Sequence, residues 1–450
     1  MDFSSTIAAI ATPAGVSATG MIRVSGENTL NLLQNAFRGK NLEMQESHTM
    51  HFGRITDKHG QTIDEVVVGI FKAPKSFTGE NVAEISCHGS PYILQKVMER
   101  LYEVGIRQAA AGEFTKRAFL NGKMDLTKAE AVGDLIHSES QGAHLSAINQ
   151  LKGGISEKIR ALREELVKLT SLLELELDFG EEDVEFADRT HLTDLLGRIK
   201  SEVKTLIASF STGKMVKNGV QVAIVGKPNA GKSTLLNAIL KEEKAIVSSV
   251  AGTTRDVIED VAEIGGILFR FFDTAGLRET TDEVEGIGIE RARKKMEQAH
   301  LIIYLYDVNE MSKNELDLEL NALPSSKPLV VVGNKIDLAQ EVDKNDATQI
   351  YISSKALENI KALEDLLLKE VGLNENIGDY SHVTTLRHAE ALRRIDNAII
   401  DIERGFEMGI SSELIIMDIK LALEAMGEIT GEVTNDEILG SIFSKFCIGK

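Results

Sequence analysis

The segment GKPNAGKS, Gly226–Ser233, constrains the fold of this 450-residue chain more than any other feature. The apolar run Val220–Val225 precedes it, and the helical pattern LLNAIL follows it. A G-x-x-x-x-G-K-S loop between a strand and a helix lets backbone N–H groups surround phosphate oxygens at the positive end of the helix dipole. The sequence therefore predicts an α/β domain in which Lys232 reaches the β- and γ-phosphates and Ser233 binds Mg²⁺.

Three further motifs in the same region each follow a short apolar run typical of a β-strand. Strands alternate with helical stretches across residues 220–372, which predicts a mostly parallel sheet. The carboxyl ends of such strands meet at one edge of the sheet, where ligands bind. The strands and the motifs that follow them are Leu268–Phe272 with Asp273-Thr274-Ala275-Gly276, Leu329–Val332 with Asn334-Lys335-Ile336-Asp337, and Gln349–Ile352 with Ser353-Ser354-Lys355.

Together these motifs predict a GTP site. Asp273 can hold the water shell of Mg²⁺, and Gly276 can offer its N–H to the γ-phosphate. Asp337 can accept both N–H donors on one edge of guanine, and a site built around a buried carboxylate rejects adenine, often by about 10⁴-fold. Ser353–Lys355 is expected to lie behind the guanine carbonyl. The full set predicted to bind the nucleotide also contains Asn229, Ala230, Gly231, Thr234, Thr274, Ala275, Asn334 and Lys335.

The rest of the chain predicts two other kinds of structure. Residues 1–118 contain short β-rich runs such as Glu65–Phe71, whereas the apolar spacing after Leu151 and across residues 385–446 is that of amphipathic helices. We therefore expect α/β and all-α parts in one multidomain chain, with the loops Ser211–Gly219 and Gly372–Tyr380 as seams. The expected parts are an N-terminal α+β domain (1–118), a first helical part (119–215), an inserted Ras-like P-loop domain (216–375) and a second helical part (376–450) that completes a discontinuous helical bundle.

Composition narrows the possible functions. The net charge is −19, and the only two cysteines are Cys87 and Cys447, which excludes a disulfide framework and fits a reducing cytoplasm. The helical parts, 121–215 and 373–450, carry a net −12, so a basic nucleic-acid footprint does not lie there. No apolar run is long enough to span a membrane. For Cys87-His88 we expect a buried structural pair rather than a metal site.

The order of the nucleotide motifs resembles that of the small GTPase superfamily, in its translation-factor-like branch. Many members place a glutamine directly after the Asp-x-x-Gly motif, where it orients the attacking water. This chain has Leu277 there, and a leucine cannot hydrogen-bond water. Hydrolysis therefore needs another group, and the candidates are Glu279, Asp282, Glu283, Glu285, Arg255 and Arg278.

Over its whole length the sequence resembles the MnmE (TrmE) family of tRNA-modification GTPases, in the TrmE-Era-EngA-like branch. The resemblance rests on seven stretches of the chain. They are GKPNAGKS, AGTTRD (Ala251–Asp256), DTAGLRETTDEVEGIGIERA (Asp273–Ala292), ATPAG (Ala11–Gly15), GEFTKRAFLNGKMDL (Gly112–Leu126), LRHAEAL (Leu386–Leu392) and the terminal FCIGK (Phe446–Lys450).

For the nucleotide site, the resemblance implies a potassium-activated GTPase. Asn229 would be a K⁺ ligand, and K⁺ would supply the charge stabilisation of an arginine finger. Thr254 would join Ser233 on Mg²⁺, and Glu285 would orient the attacking water, directly or through a second water. The loop around K⁺ and nucleotide would contain Ser248, Ser249, Val250, Ala251, Gly252 and Thr253, with Ser248, Val250 and Thr253 as K⁺ ligands.

For the N-terminal domain, the resemblance implies dimerisation and a site for 5,10-methylene-tetrahydrofolate, with 5-formyl-tetrahydrofolate as an analogue. Arg23, Glu84, Lys123 and Lys450 would contact the folate, and Cys447 joins Lys232 and Glu285 among the catalytic candidates. With the FAD-containing MnmG protein as partner in a heterotetramer, the family adds an aminomethyl or carboxymethylaminomethyl group to the wobble uridine, position 34, of certain tRNAs.

Two alternatives stay open at this stage. The first is a GTPase of the Era or EngA type that assembles RNA or ribosomes, against which the acidic helical parts and the lack of a G-x-x-G RNA clamp weigh. The second is a folate-dependent transferase whose nucleotide domain is purely regulatory. Folate binding measured with and without GTP separates this second alternative from the GTPase.

Overall fold

The structure, a computed structural model, describes residues 4–178, 189–242, 260–273, 296–323, 327–339, 349–373 and 380–450. Predictions that concern Ser248–Thr254, Thr274–Gly276, Leu277 and Glu285 lie outside these residues. The chain divides into two compact units, each assembled from separate stretches. The first unit comprises residues 1–133, 150–195 and 397–450, and the second comprises residues 134–149 and 196–396. The four-part division expected from the sequence stays a prediction.

The elements are numbered here in chain order. The strands are β1 (Ile7–Ile10), β2 (Thr19–Ser25), β3 (Phe37–Arg38), β4 (Thr49–Thr56), β5 (Thr62–Phe71), β6 (Val82–His88), β7 (Arg107–Gln108), β8 (Val220–Val225), β9 (Asp260–Ile264), β10 (Ile267–Asp273), β11 (Leu301–Asp307), β12 (Leu329–Asn334) and β13 (Gln349–Tyr351). The helices are α1 (Thr29–Gln34), α2 (Pro91–Glu103), α3 (Glu113–Leu120), α4 (Leu126–Ile136), α5 (Gln141–Leu151), α6 (Gly154–Asp178), α7 (Arg189–Asn218), α8 (Lys232–Glu242), α9 (Lys313–Asn321), α10 (Ile360–Glu370), α11 (Leu386–Glu407), α12 (Ser412–Thr430) and α13 (Asp436–Phe443).

The first unit contains a seven-stranded sheet in the order β3-β4-β5-β6-β2-β1-β7. The pairing of β1 with β7 is parallel and the other pairings are antiparallel. Buried residues of α1 and α2, such as Leu33 and Val97, pack with the strand residues Ile22 and Val24 in one core. Because side chains alternate along a strand, Arg23 points to the opposite face of the sheet.

Helices α6 and α11 follow the predicted apolar spacing. Helix α6 buries the stripe that follows Leu151 and packs against α12. Helix α11 likewise buries its predicted face, so the expectation of amphipathic helices after Leu151 and across residues 385–446 is confirmed. The buried residues are Ile155, Ile159, Leu162, Leu166, Leu169 and Leu173 on α6, and Leu392, Ile395, Ile399 and Ile402 on α11.

The second unit contains a six-stranded sheet in the order β13-β12-β11-β8-β10-β9. All its pairings are parallel except that of β9 with β10, which is antiparallel. The prediction of a mostly parallel sheet is therefore confirmed, although β9 was not predicted. The core consists of apolar residues from the central strands and from α8 and α10, including Val222, Leu235, Phe269 and Leu363.

One predicted loop is wrong. The segment Ser211–Gly219 is not a seam, because α7 continues through it to Asn218. The glycine and polar residues of this segment favoured a loop. Met215 and Val216, however, are buried in the core of the second unit. Their packing outweighs the weak helix propensity of the neighbouring residues. The left-handed Gly219, with φ of 87°, instead marks the end of the helix.

Candidate functional site

The loop between β8 and α8 requires its glycines. Gly226 has a φ of 156° and Gly231 a φ of 99°. A Cβ at position 226 would collide with the carbonyl oxygen of Leu305, and one at position 231 would collide with the side-chain amide of Asn334. Only glycine combines positive φ with so close an approach. The loop is therefore tightly curled between the end of β8 and the first turn of α8.

Lys232, the first residue of α8, lies across this loop. Its side chain is buried, and Nζ donates to the carbonyl oxygens of Gly226 and Lys227, at 2.9 Å each. These contacts hold the ammonium group beside the backbone N–H groups of the loop. A positive charge, a helix N-terminus and curled backbone in one place form an anion site.

Asn334 joins the loop to two other predicted motifs. Its Nδ2 donates to the carbonyl oxygen of Ala230 at 2.8 Å, and its Oδ1 accepts from the N–H and the hydroxyl of Ser354, at 3.0 Å each. Asn334 and Ser354 are both buried. The structure thus brings together the phosphate loop, the Asn-Lys-x-Asp motif and the Ser-Ser-Lys loop, as predicted from the order of the motifs.

Asp337 lies in a 3₁₀ turn directly after β12 and beside the Ser-Ser-Lys loop. The hydroxyl of the fully buried Ser353 donates to its Oδ1 at 2.6 Å, and the same hydroxyl accepts from the N–H of Ala356 at 3.0 Å. The carboxylate is exposed, so the expectation of a buried carboxylate is wrong in this structure. The turn lies past the buried end of β12, which explains the exposure.

The remaining predicted residues lie around the same edge. Asp273 ends β10 and pairs with Ile224 of β8, two residues before the phosphate loop begins at Gly226. Asn229, with a φ of 65°, is exposed in the loop, and Ser233 and Thr234 are exposed in the first turn of α8. Lys355 is exposed in the turn after Ser354.

Sequence reasoning missed a contact of Lys335. Its Nζ lies 2.7 Å from Oδ2 of Asp307, the last residue of β11. Burial alone would raise the pKa of Asp307, but the hydrogen bonds from Lys335 and Asn309 outweigh it and lower the pKa, so the carboxylate is charged at neutral pH. The signal in the sequence was an acid that directly follows the apolar strand LIIYLY.

The first unit contains a second polar site, which we call the Arg23 cluster: Arg23, Glu84, Gly449 and Lys450. Nε and Nη2 of Arg23 donate to Oε1 of Glu84 at 3.0 and 2.9 Å, and Nη1 donates to the carbonyl oxygen of Gly449 at 3.2 Å. Phe77 and Phe114 also approach Arg23, with ring centroids 5.9 Å from the guanidinium carbon. Neither ring was predicted, because their sequence neighbourhoods carry no pattern that indicates a ligand.

The C-terminal tail completes the Arg23 cluster. Ile448 forms an antiparallel bridge with Ala111, and Gly449 approaches β1 so closely that a Cβ there would lie 2.7 Å from the carbonyl oxygen of Ile10. Burial, and to a smaller extent the nearby positive charge of Arg23, lowers the pKa of Lys450, while Glu84 and Cys447 act in the opposite direction. The structure thus brings Lys450 to Arg23 and Glu84, as the resemblance implied.

A network of buried charges supports the loop on which Phe77 lies. Arg117, 1% exposed, donates to both oxygens of Glu80 and to Glu113, at 3.0 to 3.1 Å. Burial alone would raise the pKa of Glu113, but hydrogen bonds from Arg107, the N–H of Ala110 and Arg117 outweigh it and lower the pKa. This network was not predicted, because the contact of Arg117 with Glu80 joins residues 37 positions apart in the chain.

One residue that the resemblance implied for the folate site is placed differently. Lys123 is exposed, and its Nζ donates to the carbonyl oxygen of Pro74 at 2.9 Å, so it borders the Phe77 loop rather than the Arg23–Glu84 pair. Cys447 is exposed. Burial, and to a smaller extent the negative charge of Asp64, raises the pKa of the Cys87 thiol to about 12.

The expected buried pair of Cys87 and His88 is half wrong. Cys87 is buried, but His88 is exposed and its Nδ1 lies 2.7 Å from Oδ1 of the buried Asp64. The two side chains point to opposite faces of β6 because they are consecutive. Among the described residues, no group of three or more His, Cys, Asp or Glu side chains could hold a metal ion.

Comparison with known proteins identifies relatives along the whole chain. A family model described as "MnmE helical domain" matches residues 126–447, and one described as "GTP-binding protein TrmE N-terminus" matches residues 6–123. A protein named tRNA modification GTPase MnmE from Cytophaga hutchinsonii is 50% identical over 99% of this chain and 98% of its own length. The protein of the same name from Flavobacterium psychrophilum is 49% identical over the full length of both chains.

Among solved structures, Era from Aquifex aeolicus bound to GDP and AlF₄⁻ is 29% identical over 40% of this chain and 66% of that chain, with a TM-score of 0.27. This TM-score is too low to support a comparison of folds. Within the described residues, no helix is both long enough and apolar enough to cross a membrane.

Proposed function

The chain belongs to the MnmE family of tRNA modification GTPases and hydrolyses GTP, and on that premise we propose that its GTPase cycle is potassium-activated and serves a folate-dependent tRNA modification. The observation that carries the GTP site is the contact of Asn334 with Ala230. This hydrogen bond ties the predicted base loop to the predicted phosphate loop. The base and the phosphates of one nucleotide can therefore lie along a single edge of the sheet.

Base choice rests on Asp337 in this proposal. Its carboxylate is exposed and accepts a hydrogen bond from the buried Ser353, beside the loop where we place the base. In Asp337→Asn the side chain offers a donor in place of an acceptor, and the preference should move from GTP towards the xanthine nucleotide. Unchanged GTP affinity in this variant would contradict the assignment.

The residues around the phosphate loop fit the proposed cations. Asn229 offers a hard amide oxygen from an exposed, left-handed position of the loop, and Ser233 offers a hydroxyl in the first turn of α8. We propose Ser233 and Thr254 for Mg²⁺, with Asp273 near its water shell, and Asn229, Ser248, Val250 and Thr253 for K⁺. When bound, the two cations neutralise charge on the β- and γ-phosphates. Of these residues, Ser248, Val250, Thr253 and Thr254 lie outside the described part of the chain.

The chain's own residues then perform three tasks. Lys232 donates to the phosphate oxygens in place of the carbonyl groups that it contacts in this structure. The backbone N–H groups of Gly231 to Thr234 bind the β-phosphate at the start of α8. Glu285 orients the attacking water, because Leu277 cannot do so.

The role of Glu285 can be separated from binding. Glu285→Ala should lower turnover by about 10²-fold and leave nucleotide affinity near that of the unchanged protein. Asp282→Ala is a matched control, since it removes another of the candidate acids, to which this proposal gives no role. If affinity falls in step with turnover, Glu285 binds the nucleotide and does not position water.

The central test is GTP turnover in potassium compared with sodium, with and without the MnmG flavoprotein. Turnover should fall steeply when sodium replaces potassium, because the smaller cation fits the same oxygen ligands less well. The Asn229→Ala variant should remove most of this difference between the two salts. Equal rates in both salts for the unchanged protein would contradict potassium activation.

We further propose that the Arg23 cluster binds 5,10-methylene-tetrahydrofolate. A pterin ring presents paired donors and acceptors that Glu84 and Arg23 can bridge, and lysines suit a glutamyl tail. Phe77 and Phe114 supply aromatic surface beside the same guanidinium group. Direct binding of 5-formyl-tetrahydrofolate, measured by calorimetry, tests the site, and Glu84→Gln should weaken it at least tenfold.

The proposed product is an aminomethyl or carboxymethylaminomethyl group at the wobble uridine of tRNA. A tRNA substrate places the reaction in the cytoplasm, and MnmG supplies the flavin in a proposed heterotetramer. The open face of the first unit's sheet supports a homodimer, because Met50 and Phe52 are 72% and 65% exposed on adjacent outward positions of β4. Cys447, exposed beside the Arg23 cluster, stays a candidate for the transfer chemistry.

A further inference from the structure

The loop that carries Lys335 depends on a residue from a different strand. Asp307 ends β11, which pairs in parallel with β12, and it stands opposite Asn334 in the register of the two strands. Its carboxylate is 7% exposed. A buried carboxylate at the ligand edge of the sheet needs partners, and among the described residues Lys335 and Asn309 supply them.

The two carboxylate oxygens of Asp307 have different partners. Oδ2 lies 2.7 Å from Nζ of Lys335, and Oδ1 accepts from the N–H and from Nδ2 of Asn309, at 2.9 and 3.0 Å. Nδ2 of Asn309 also donates to the carbonyl oxygen of Lys335 at 3.2 Å. Asp307 and Asn309 therefore hold Lys335 at both its side chain and its backbone.

The backbone of Lys335 needs this support. Its φ is 66°, in the left-handed region that non-glycine residues rarely adopt. Such a conformation persists where the surrounding structure fixes it, and it occurs frequently at binding sites. Asn334 and Asp337, on either side, are fixed by Ala230, Ser354 and Ser353. Lys335 lies between these two residues, and Asp307 and Asn309 fix it.

We propose that Asp307 is a positioning residue for nucleotide binding. Asp307 orders the side chain of Lys335, so that the aliphatic stem of Lys335 covers one face of the guanine base. This inference rests on the GTP site proposed above. A lysine side chain loses much rotational freedom when it is ordered, and Asp307 has ordered it before the nucleotide arrives. Contact with the face of the base contributes to affinity but does not distinguish one purine from another.

The test compares Asp307→Asn, Lys335→Gln and the double variant in the full-length chain. We expect Asp307→Asn to raise the KM for GTP and the Kd for GDP about tenfold with kcat unchanged. This pattern results when the lost interaction stabilises the bound substrate and the transition state equally. The Kd for IDP should rise by the same factor, so that the ratio of the two affinities stays constant. The double variant should bind GDP no more weakly than Lys335→Gln, because Asp307 acts through Lys335.

Several results would overturn the inference. These are an unchanged Kd in Asp307→Asn, an additive loss in the double variant, or a changed ratio of GDP to IDP affinity. Asp317→Asn, an exposed acid on α9, is the control for a change of charge in the same region. A purely structural role of Asp307 would lower the melting temperature without raising the KM. The melting temperature of each variant is therefore measured as well, and the KM and Kd are measured below the lowest melting temperature of the set.

Asp337→Asn, run beside these variants, separates the two proposals. If it does not move base choice towards xanthine, the assignment of the base site fails, whatever Asp307→Asn does. If it moves base choice while Asp307→Asn binds GDP like the unchanged protein, the base site stands and the role given to Asp307 fails.

Discussion

The nucleotide site and the Arg23 cluster differ in how the chain builds them. The nucleotide site consists of short motifs at the ends of neighbouring strands, and each motif contains both the chemical group and the turn that places it. The Arg23 cluster joins Arg23 and Glu84 on paired strands with Gly449 from the far end of the chain, 426 residues from Arg23. The first kind of site tolerates changes elsewhere in the chain, and the second depends on long-range packing.

The largest expected effect comes from removing Lys232. Lys232→Ala takes away the buried ammonium group of the phosphate loop and should lower GTP turnover by about 10³-fold, as loss of a main electrostatic group in a reactive site does. Binding of 5-formyl-tetrahydrofolate should stay unchanged. Steady-state turnover and calorimetry on the same preparation measure both. A parallel loss of folate binding would show that the two sites are not built independently.

This difference also decides what could be predicted from the sequence. The motifs that contain Lys232, Asn334 and Ser354 were placed correctly at strand ends, because a contiguous motif defines its own local geometry. Asp307 was missed, since its role depends on the pairing of β11 with β12. Phe77 and the Glu80–Arg117–Glu113 network were missed for the same reason, and no local pattern indicates a contact between residues 37 positions apart.

The next largest effect should come from Glu113. Glu113→Gln removes the charge of a buried residue and leaves the buried Arg117 with fewer partners, so the free energy of unfolding should fall by about 3 kcal/mol. The pKa of Glu113 is lowered in the folded chain, so its contribution is present above its unfolded pKa and is lost as the pH falls through the folded pKa. Denaturant unfolding between neutral and acidic pH measures both effects.

The Lys96–Glu99 pair provides the control for this prediction. Glu99→Gln removes the same charge from an exposed pair on α2 and should leave stability unchanged. Equal stabilities of the Glu113 and Glu99 variants would mean that the buried network does not support the first unit. A loss in Glu113→Gln that does not shrink at acidic pH would contradict the role given to its charge.

A smaller effect is expected at Lys450. Lys450→Ala should weaken folate binding about tenfold through loss of one charge-assisted contact, while GTP turnover stays the same. Since burial and Arg23 lower the pKa of Lys450, the unchanged protein should lose folate affinity as the pH rises, and at a lower pH than an ordinary lysine would allow. Lys450→Arg should bind folate at these higher pH values, and a pH profile that the arginine does not extend would contradict the assignment.

The smallest effect, at Lys123, distinguishes proximity to the Arg23 cluster from membership in it. Lys123 is exposed and contacts the carbonyl oxygen of Pro74, so its interaction with a glutamyl tail is screened by solvent. Lys123→Ala should weaken the binding of 5-formyl-tetrahydrofolate only about threefold at low salt, and the difference should disappear at high ionic strength. Lys450 is half-buried, so the effect of Lys450→Ala should persist in the same high-salt titration. If the loss of folate affinity vanishes at high salt in both variants, Lys450 is no better shielded from solvent than a surface lysine. In that case the cluster has no more internal organisation than any exposed group of charges.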